Sequence, residues 1–106
     1  MAYIEACGMR FDWDPEKDRA NRRKHRLSFV DASRLFIEGL DLLEVYDREH
    51  SDQEDRFIVI GQIERGIIVV AYTERQDDVI RILSARMATA KERRHFEEYW
   101  RGRNER

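Results

Sequence analysis

Cysteine and proline are almost missing from this 106-residue chain, which has one of each. Because Cys7 is alone, no internal disulfide can form, which is typical of proteins in a reducing, cytosolic setting. No apolar run is long enough to cross a membrane, and the first residues lack the basic start of a secretory leader. We therefore expect a cytoplasmic protein without membrane contact, folded as one domain around a single modest core.

Motifs that bind cofactors are also missing. The sequence has no glycine-rich phosphate loop, nucleophile elbow or dinucleotide fingerprint. Its histidines, His25, His50 and His95, lie on separate predicted elements, so no zinc-binding spacing exists. The loop at 47–52 is acidic, but such loops are usually only solvated. We therefore expect neither a metal nor a cofactor.

Charge is plentiful, at 40% of residues, and strongly segregated although the net charge is only −2. Between Lys17 and Arg26 six cations accompany one acid, whereas between Glu38 and Asp55 eight acids accompany one cation. The C-terminal third is basic again. This distribution favours a local basic surface, while the overall acidity argues against a protein that coats nucleic acid in general.

Three helices are predicted from their capping residues. Asp14 is suited to cap a helix with Pro15 in its first position, and that helix is expected to end near His25. Gly39 is expected to stop the second helix. The capping pairs that open the second and third helices are Ser28 with Asp31 and Thr89 with Glu92.

Apolar runs bounded by polar turns predict five strands. Their expected positions are 9–13, 42–46, 57–61, 67–72 and 79–85. The element order β-α-α-β-β-β-β-α indicates an α+β domain, an antiparallel sheet with helices packed on one face and the other face partly occupied. We expect its core at about 9–100, with tails at 1–8 and 101–106.

Lys24 and His25 form the first candidate site. At the end of a helix, Lys24 offers a point charge to an anion, and histidine can donate or accept a proton near neutral pH. The alternative is structural, because cations in a last helical turn complement the helix dipole without any further role. Arg22 and Arg23 are interpreted as solvated helix surface.

Arginines on the predicted strands form the second candidate group. Arg81 interrupts an apolar strand, so it must reach solvent, pair with a carboxylate or face a site. Arg56 and Arg75 lie at strand ends, and strict alternation places Arg86 on the face opposite Arg81 unless the strand bends. Ion pairs with the many acids explain each arginine singly, but several around one sheet favour a site for a polyanion.

Motifs in a fixed order extend from Phe11 to about Tyr99. They are Phe11-Asp12-Trp13-Asp14, Asn21, Lys24-His25, Ser28-Phe29, Ala32, Phe36, Arg56, Gly61, Tyr72-Thr73-Glu74-Arg75, Ile80-Arg81-Ile82-Leu83-Ser84-Ala85-Arg86 and Glu92-Arg93-Arg94. Together they resemble the BrnT toxins of bacterial type II toxin–antitoxin systems, and the segment that ends at Arg86 is the most specific.

This resemblance implies a RelE-like fold and a metal-independent ribonuclease that inhibits translation. It also implies neutralisation by a BrnA-type antitoxin, a DNA-binding protein whose dimer can gather two toxins into a heterotetramer, so that any contact with DNA is indirect. In such a site we assign proton transfer to His25. The cationic roles are phosphate stabilisation by Lys24, Arg75 and Arg86, and RNA positioning by Arg56 and Arg81.

One residue departs from the family pattern, which commonly has glycine after Lys-His where this chain has Arg26. Glycine there would stop the helix in a left-handed conformation, so Arg26 is expected to lengthen the helix or to strain its end. Two alternatives to a ribonuclease remain open. RelE-like folds include poisons that bind gyrase without cutting RNA, and Arg26 motivates a degenerate toxin kept for antitoxin binding.

Overall fold

The structure, a computed structural model, describes residues 2–6, 8–38, 42–50 and 52–104. Its elements are β1 (Ala2–Ala6), β2 (Met9–Trp13), α1 (Pro15–His25), α2 (Phe29–Glu38), β3 (Leu43–Tyr46), a 3₁₀ turn (Arg48–His50), β4 (Arg56–Ile63), β5 (Gly66–Arg75), β6 (Val79–Met87) and α3 (Ala90–Asn104). This order confirms the predicted α+β class. Cys7 and the helix stop predicted at Gly39 lie outside the described residues. Within them, no helix is long and apolar enough to cross a membrane.

Six strands form one open sheet in the order β1-β2-β6-β5-β4-β3. Strands β3 to β6 make the expected antiparallel meander, whereas β2 runs parallel to β6, so the sheet is mixed. The expected tail at 1–8 instead contains β1, which pairs with β2 through a turn where Gly8 has φ +77°. At the other end α3 extends beyond the predicted core boundary, to Asn104.

The sheet buries apolar side chains on both faces. The face that carries Ile68 and Val70 of β5 is called the α1/α2 face. Helix α2 and the turn before it contribute four fully buried residues to this face: Leu27, Phe29, Ala32 and Leu35. On the opposite α3 face, defined by Val69, Phe96 of α3 packs into a smaller cluster. The partial occupation expected for the second face is therefore supplied by α3, and burying each large side chain contributes about 1.5–3 kcal/mol.

The three predicted helix caps are confirmed. The Asp14 side chain accepts a hydrogen bond from the Glu16 N–H at 2.9 Å, with Pro15 following it in the first helical turn. Both hydrogen bonds of each capping box are also formed. The Ser28 hydroxyl accepts from the Asp31 N–H at 3.0 Å, and the Asp31 carboxylate accepts from the Ser28 N–H at 3.3 Å. Likewise the Thr89 hydroxyl accepts from the Glu92 N–H at 3.2 Å, and the Glu92 carboxylate accepts from the Thr89 N–H at 2.8 Å. Each cap stabilises its helix by about 1 kcal/mol.

A bulge in β6 decides where its arginines point. Ala71 of β5 pairs with Ser84 but the next residue, Tyr72, pairs with Ile82, so Leu83 is the extra residue. Arg81 and Arg86 consequently pair with Thr73 and Val69, which lie an even number of residues apart on β5. Both arginines therefore lie on the α3 face, whereas strict alternation along β6 would separate them.

Candidate active site

Asn21 anchors the end of α1 to the sheet. Its buried side-chain Nδ2 donates hydrogen bonds to the Leu27 and Ala85 carbonyls, both at 2.8 Å, and its Oδ1 accepts one from the Ala85 N–H at 3.1 Å. Strand β2 pairs with β6 only at residues 79–81, so beyond that point the Asn21 amide replaces a strand partner. The C-terminal half of α1 is thereby held beside β6 at Ala85, the residue before Arg86.

Lys24 and His25 lie in that last turn. Lys24 is exposed, whereas His25 is half-buried because it lies on the same side of the helix as Asn21. Helix α1 ends at His25, and Arg26 adopts the left-handed conformation at φ 56° and ψ 33° while its N–H donates to the Arg22 carbonyl at 2.8 Å. Of the two expectations for Arg26, the structure therefore shows strain and not a longer helix.

Arg65, in the turn between β4 and β5, supports this helix end. Its guanidinium donates a hydrogen bond to the Arg26 carbonyl and lies 3.6 Å from an Asp31 carboxylate oxygen. Nothing in the sequence signalled this contact, because the two residues are far apart along the chain. The turn and the capping box of α2 thus hold the residue that follows His25.

Arg86 is bound edge to edge by Glu92. Its two terminal nitrogens donate to the two Glu92 carboxylate oxygens at 2.7 and 2.9 Å. This hydrogen-bonded pair raises the pKa of Arg86 and, with help from the Thr89 N–H, lowers the pKa of Glu92 to about 2. Since a guanidinium has five N–H donors, Arg86 keeps some of them for an anion while Glu92 fixes its plane.

The other three arginines lie at the far end of the α3 face. Arg56 and Arg81 flank Thr73 across adjacent strands, and each guanidinium lies near an aspartate: Arg56 at 3.9 Å from Asp47 and Arg81 at 3.4 Å from Asp12. The Thr73 side chain is 3% exposed, and its hydroxyl has no hydrogen-bond partner among the described residues. The ion-pair explanation accordingly holds for both arginines.

Arg75 is separated from Arg86 by most of the sheet. It pairs with Val79 across β5 and β6, whereas Arg86 pairs with Val69, six residues away along β5. At about 3.3 Å per residue the backbones are roughly 20 Å apart, and side chains stand nearly perpendicular to a sheet. Arg75 instead lines a 350 Å³ concavity beside Met9 and lies 3.4 Å from a Glu54 oxygen. Arg56, Arg75 and Arg81 thus lie together at one end of the sheet, whereas Arg86 lies at the other end, next to the Ala85 backbone to which α1 is bound through Asn21.

No three His, Cys, Asp or Glu side chains are close enough to hold a metal ion within the described part of the chain. The residues that sequence reasoning missed are supporting ones. The family motif contained Asn21, but nothing marked it as the link between α1 and β6. The sequence identified Glu92 only as a helix cap, because its pairing with Arg86 depends on where β6 lies.

Comparisons with known proteins agree with this architecture. A family model described as the ribonuclease toxin BrnT of type II toxin–antitoxin systems matches residues 13–92. The crystal structure of the Brucella abortus ribonuclease toxin BrnT matches with a TM-score of 0.56 and 25% sequence identity, covering 74% of this chain and 95% of that one. None of the curated proteins matches in sequence. The chain belongs to the BrnT family of ribonuclease toxins of type II toxin–antitoxin systems.

Proposed function

We propose that this protein is a metal-independent endoribonuclease that inhibits translation by cutting RNA. The observation that carries the proposal is the Asn21 tether, which holds a helix end with Lys24 and His25 beside the strand that bears Arg86. A proton-transfer group and two cations are then available at one end of the sheet. Membership of the ribonuclease toxin family supports the same activity.

The proposed reaction is attack of a ribose 2′-oxygen on the adjacent phosphorus. A bond forms between the 2′-oxygen and phosphorus, and the bond between phosphorus and the 5′-oxygen breaks. The 2′-hydroxyl proton passes to a base, and the leaving 5′-oxygen takes up a proton from an acid. His25 takes part in this proton transfer, a contribution typically worth two to four powers of ten in rate. Lys24 and Arg86 stabilise the negative charge that develops on the phosphate oxygens.

Arg56, Arg75 and Arg81 receive a separate role in this proposal. Their distance from Arg86 argues against contact with the phosphate that is cut, so the phosphate role expected for Arg75 moves to RNA positioning. Together with Arg56 and Arg81 it would bind a neighbouring stretch of the RNA backbone. Such contacts set the position of the chain and carry little sequence information.

The direct test is RNA cleavage by purified protein in the presence of a chelator. His25→Ala and Arg86→Ala should lose cleavage, while His95→Ala and Arg34→Ala, which change exposed residues of α3 and α2, should keep it. Full activity of both site variants would contradict the assignment. Blocked replication without RNA loss on expression would favour the gyrase-directed alternative, and unimpaired growth would favour a degenerate toxin.

Because Arg86 is bound to Glu92, loss of activity in Arg86→Ala has two possible causes, lost chemistry and lost stability. Glu92→Gln separates them, since it weakens the same ion pair but keeps Arg86 and a side chain that can still cap α3. Cleavage by Glu92→Gln together with inactivity of Arg86→Ala supports a direct role. Equal loss in both would assign Arg86 a structural role.

A toxin of this family implies an antitoxin partner. We propose that the partner is of the BrnA type and that its dimer gathers two toxins, so that this chain meets DNA only through the antitoxin. Co-expression of the native operon should yield a complex whose mass in solution corresponds to two of each chain. Repeated recovery of a lone toxin monomer would contradict this proposal.

A further inference from the structure

The outward side of α1 carries a row of arginines. At 100° per residue, Arg19 and Arg23 lie about 160° around the helix from the buried Asn21, and Arg22 lies about 100° from it. The three side chains line a concavity of about 400 Å³. Arg22 lies three residues before His25 and is therefore its neighbour on the helix surface, which connects the row to the candidate active site.

These cations are poorly neutralised. Among the described residues Arg19 and Arg23 make no ion pair, and the Arg22 Nε lies 3.8 Å from Asp18, beyond hydrogen-bond distance. The arginines at other sites that, like Arg22, have a carboxylate oxygen within 4.0 Å are Arg10, Arg34, Arg56, Arg65, Arg75, Arg81 and Arg86. Arg26, Arg94 and Arg101 also make no ion pair among the described residues, so the α1 row is distinguished by the concavity that its three side chains line together.

Helix stability does not account for this row. The helix dipole favours cations in the last turn, which covers Arg22 and Arg23. Arg19 lies in the first half of an 11-residue helix, where the dipole gives it no such advantage. Like charges three and four residues apart also repel each other, and Arg19 has Arg22 and Arg23 at these spacings after it against only Glu16 before it. A polyanion that lies along the row would remove that repulsion.

We propose that Arg19, Arg22 and Arg23 form a docking track for the phosphate backbone of single-stranded RNA, which leads the substrate to Lys24 and His25. The track rests on the proposed ribonuclease function and adds a binding surface to it. Side chains three or four residues apart on a helix are about 5–6 Å apart at Cβ, so flexible guanidinium groups can contact successive phosphates. The row carries no aromatic side chain on which a base could stack, so binding here is independent of RNA sequence.

The test is the salt dependence of RNA binding. The probe is a short mixed-sequence oligonucleotide with 2′-O-methyl groups throughout, which a 2′-hydroxyl mechanism cannot cut. The variant changes Arg19, Arg22 and Arg23 to glutamine, which keeps helix propensity and removes the repulsion. Its matched control changes three exposed cations of α3, Lys91, Arg94 and Arg101, to glutamine and so alters the net charge equally.

Each phosphate contact on a single strand contributes about 0.7 to the slope of log affinity against log salt. The α1 variant should therefore lose about 2 from the slope and bind roughly tenfold more weakly at physiological salt, whereas the α3 control should stay near wild type. Equal losses in both variants, or an unchanged slope in the α1 variant, would overturn the track. Loss of antitoxin binding with RNA binding intact would overturn it as well, since an acidic protein segment would then be the occupant.

Failure of the proposed function would look different. If the wild-type protein binds the oligonucleotide with the predicted slope but cuts no RNA, the track stands and the ribonuclease assignment falls. If instead the wild-type protein cuts RNA and the α1 variant keeps the wild-type salt dependence of binding, the ribonuclease assignment stands and the track falls.

Discussion

Arg26 holds a backbone conformation that costs an L-residue about 1–2 kcal/mol and costs glycine little. We therefore expect Arg26→Gly to raise the free energy of unfolding by up to about 1 kcal/mol. The gain is smaller than the strain that is removed, because glycine also makes the unfolded chain more flexible. The control is Arg23→Gly, at a helical position in α1, which should lose about 0.5–1 kcal/mol. The measurement is the urea midpoint, and a lower midpoint in both variants would contradict the strain at Arg26.

Glu92 makes stability depend on pH in a defined direction. Its pKa is lowered from 4.5 to about 2 in the folded protein, first of all by the Arg86 hydrogen bonds. The pair therefore stabilises the protein above the unfolded value near 4.5, and this contribution is lost as the pH falls toward 2. Because both side chains are partly exposed, we expect about 1–2 kcal/mol and not the full value of the shift.

The check is the unfolding free energy of wild type minus that of Glu92→Gln, measured by urea denaturation across acid pH. The difference should be largest near neutral pH and shrink steadily on acidification. A difference that stays constant between neutral pH and the acid limit would show that the carboxylate charge of Glu92 does not stabilise the fold.

At the scale of elements, the tether between α1 and β6 depends on one amide. Asn21→Ala leaves the Ala85 N–H, the Ala85 carbonyl and the Leu27 carbonyl without their partner, and each buried unsatisfied group costs about 1–3 kcal/mol. We expect a total loss of roughly 3 kcal/mol, since water reaches part of the opened site. Hydrogen exchange should localise the effect, with faster exchange at the Ala85 amide.

Ser33→Ala is the matched control for that variant. Ser33 is also buried, but its hydroxyl donates to the Val30 carbonyl within α2, at 2.7 Å, and joins no other element. Its loss should cost less than Asn21→Ala and leave the exchange of Ala85 unchanged. Equal behaviour of the two variants would deny Asn21 its role as a tether.

The elements that sequence reasoning predicted well are those with local causes. Asp14, Ser28 and Thr89 cap their helices through residues two or three positions away, so the signal lies within one short segment. Strand β1 was not predicted, because its five residues are recognisable as a strand only once they pair with β2. The bulge at Leu83 was also invisible, since the register between β5 and β6 is a property of two strands.

The whole molecule shows why family and fold could be predicted while the site could not. Motif order along the chain was enough to identify a BrnT-like protein, and the family model confirms it. Which cations lie together depends on the sheet: its register separates Arg75 from Arg86, and Asn21 brings the end of α1 to β6. Arg86 therefore lies at the end of the sheet where Asn21 binds α1 to β6, and Arg56, Arg75 and Arg81 lie at the other end.

We propose that His25 takes part in RNA cleavage through the 2′-hydroxyl at the α1 end of the sheet. It is tested most directly by the rate and the product ends of RNA cut in chelator by wild type, His25→Ala and His95→Ala. We expect 2′,3′-cyclic phosphate ends from wild type and His95→Ala at similar rates, with a loss of about two to four powers of ten in rate for His25→Ala. Equal rates for the two histidine variants, or products without cyclic phosphate or its hydrolysed form, would contradict it.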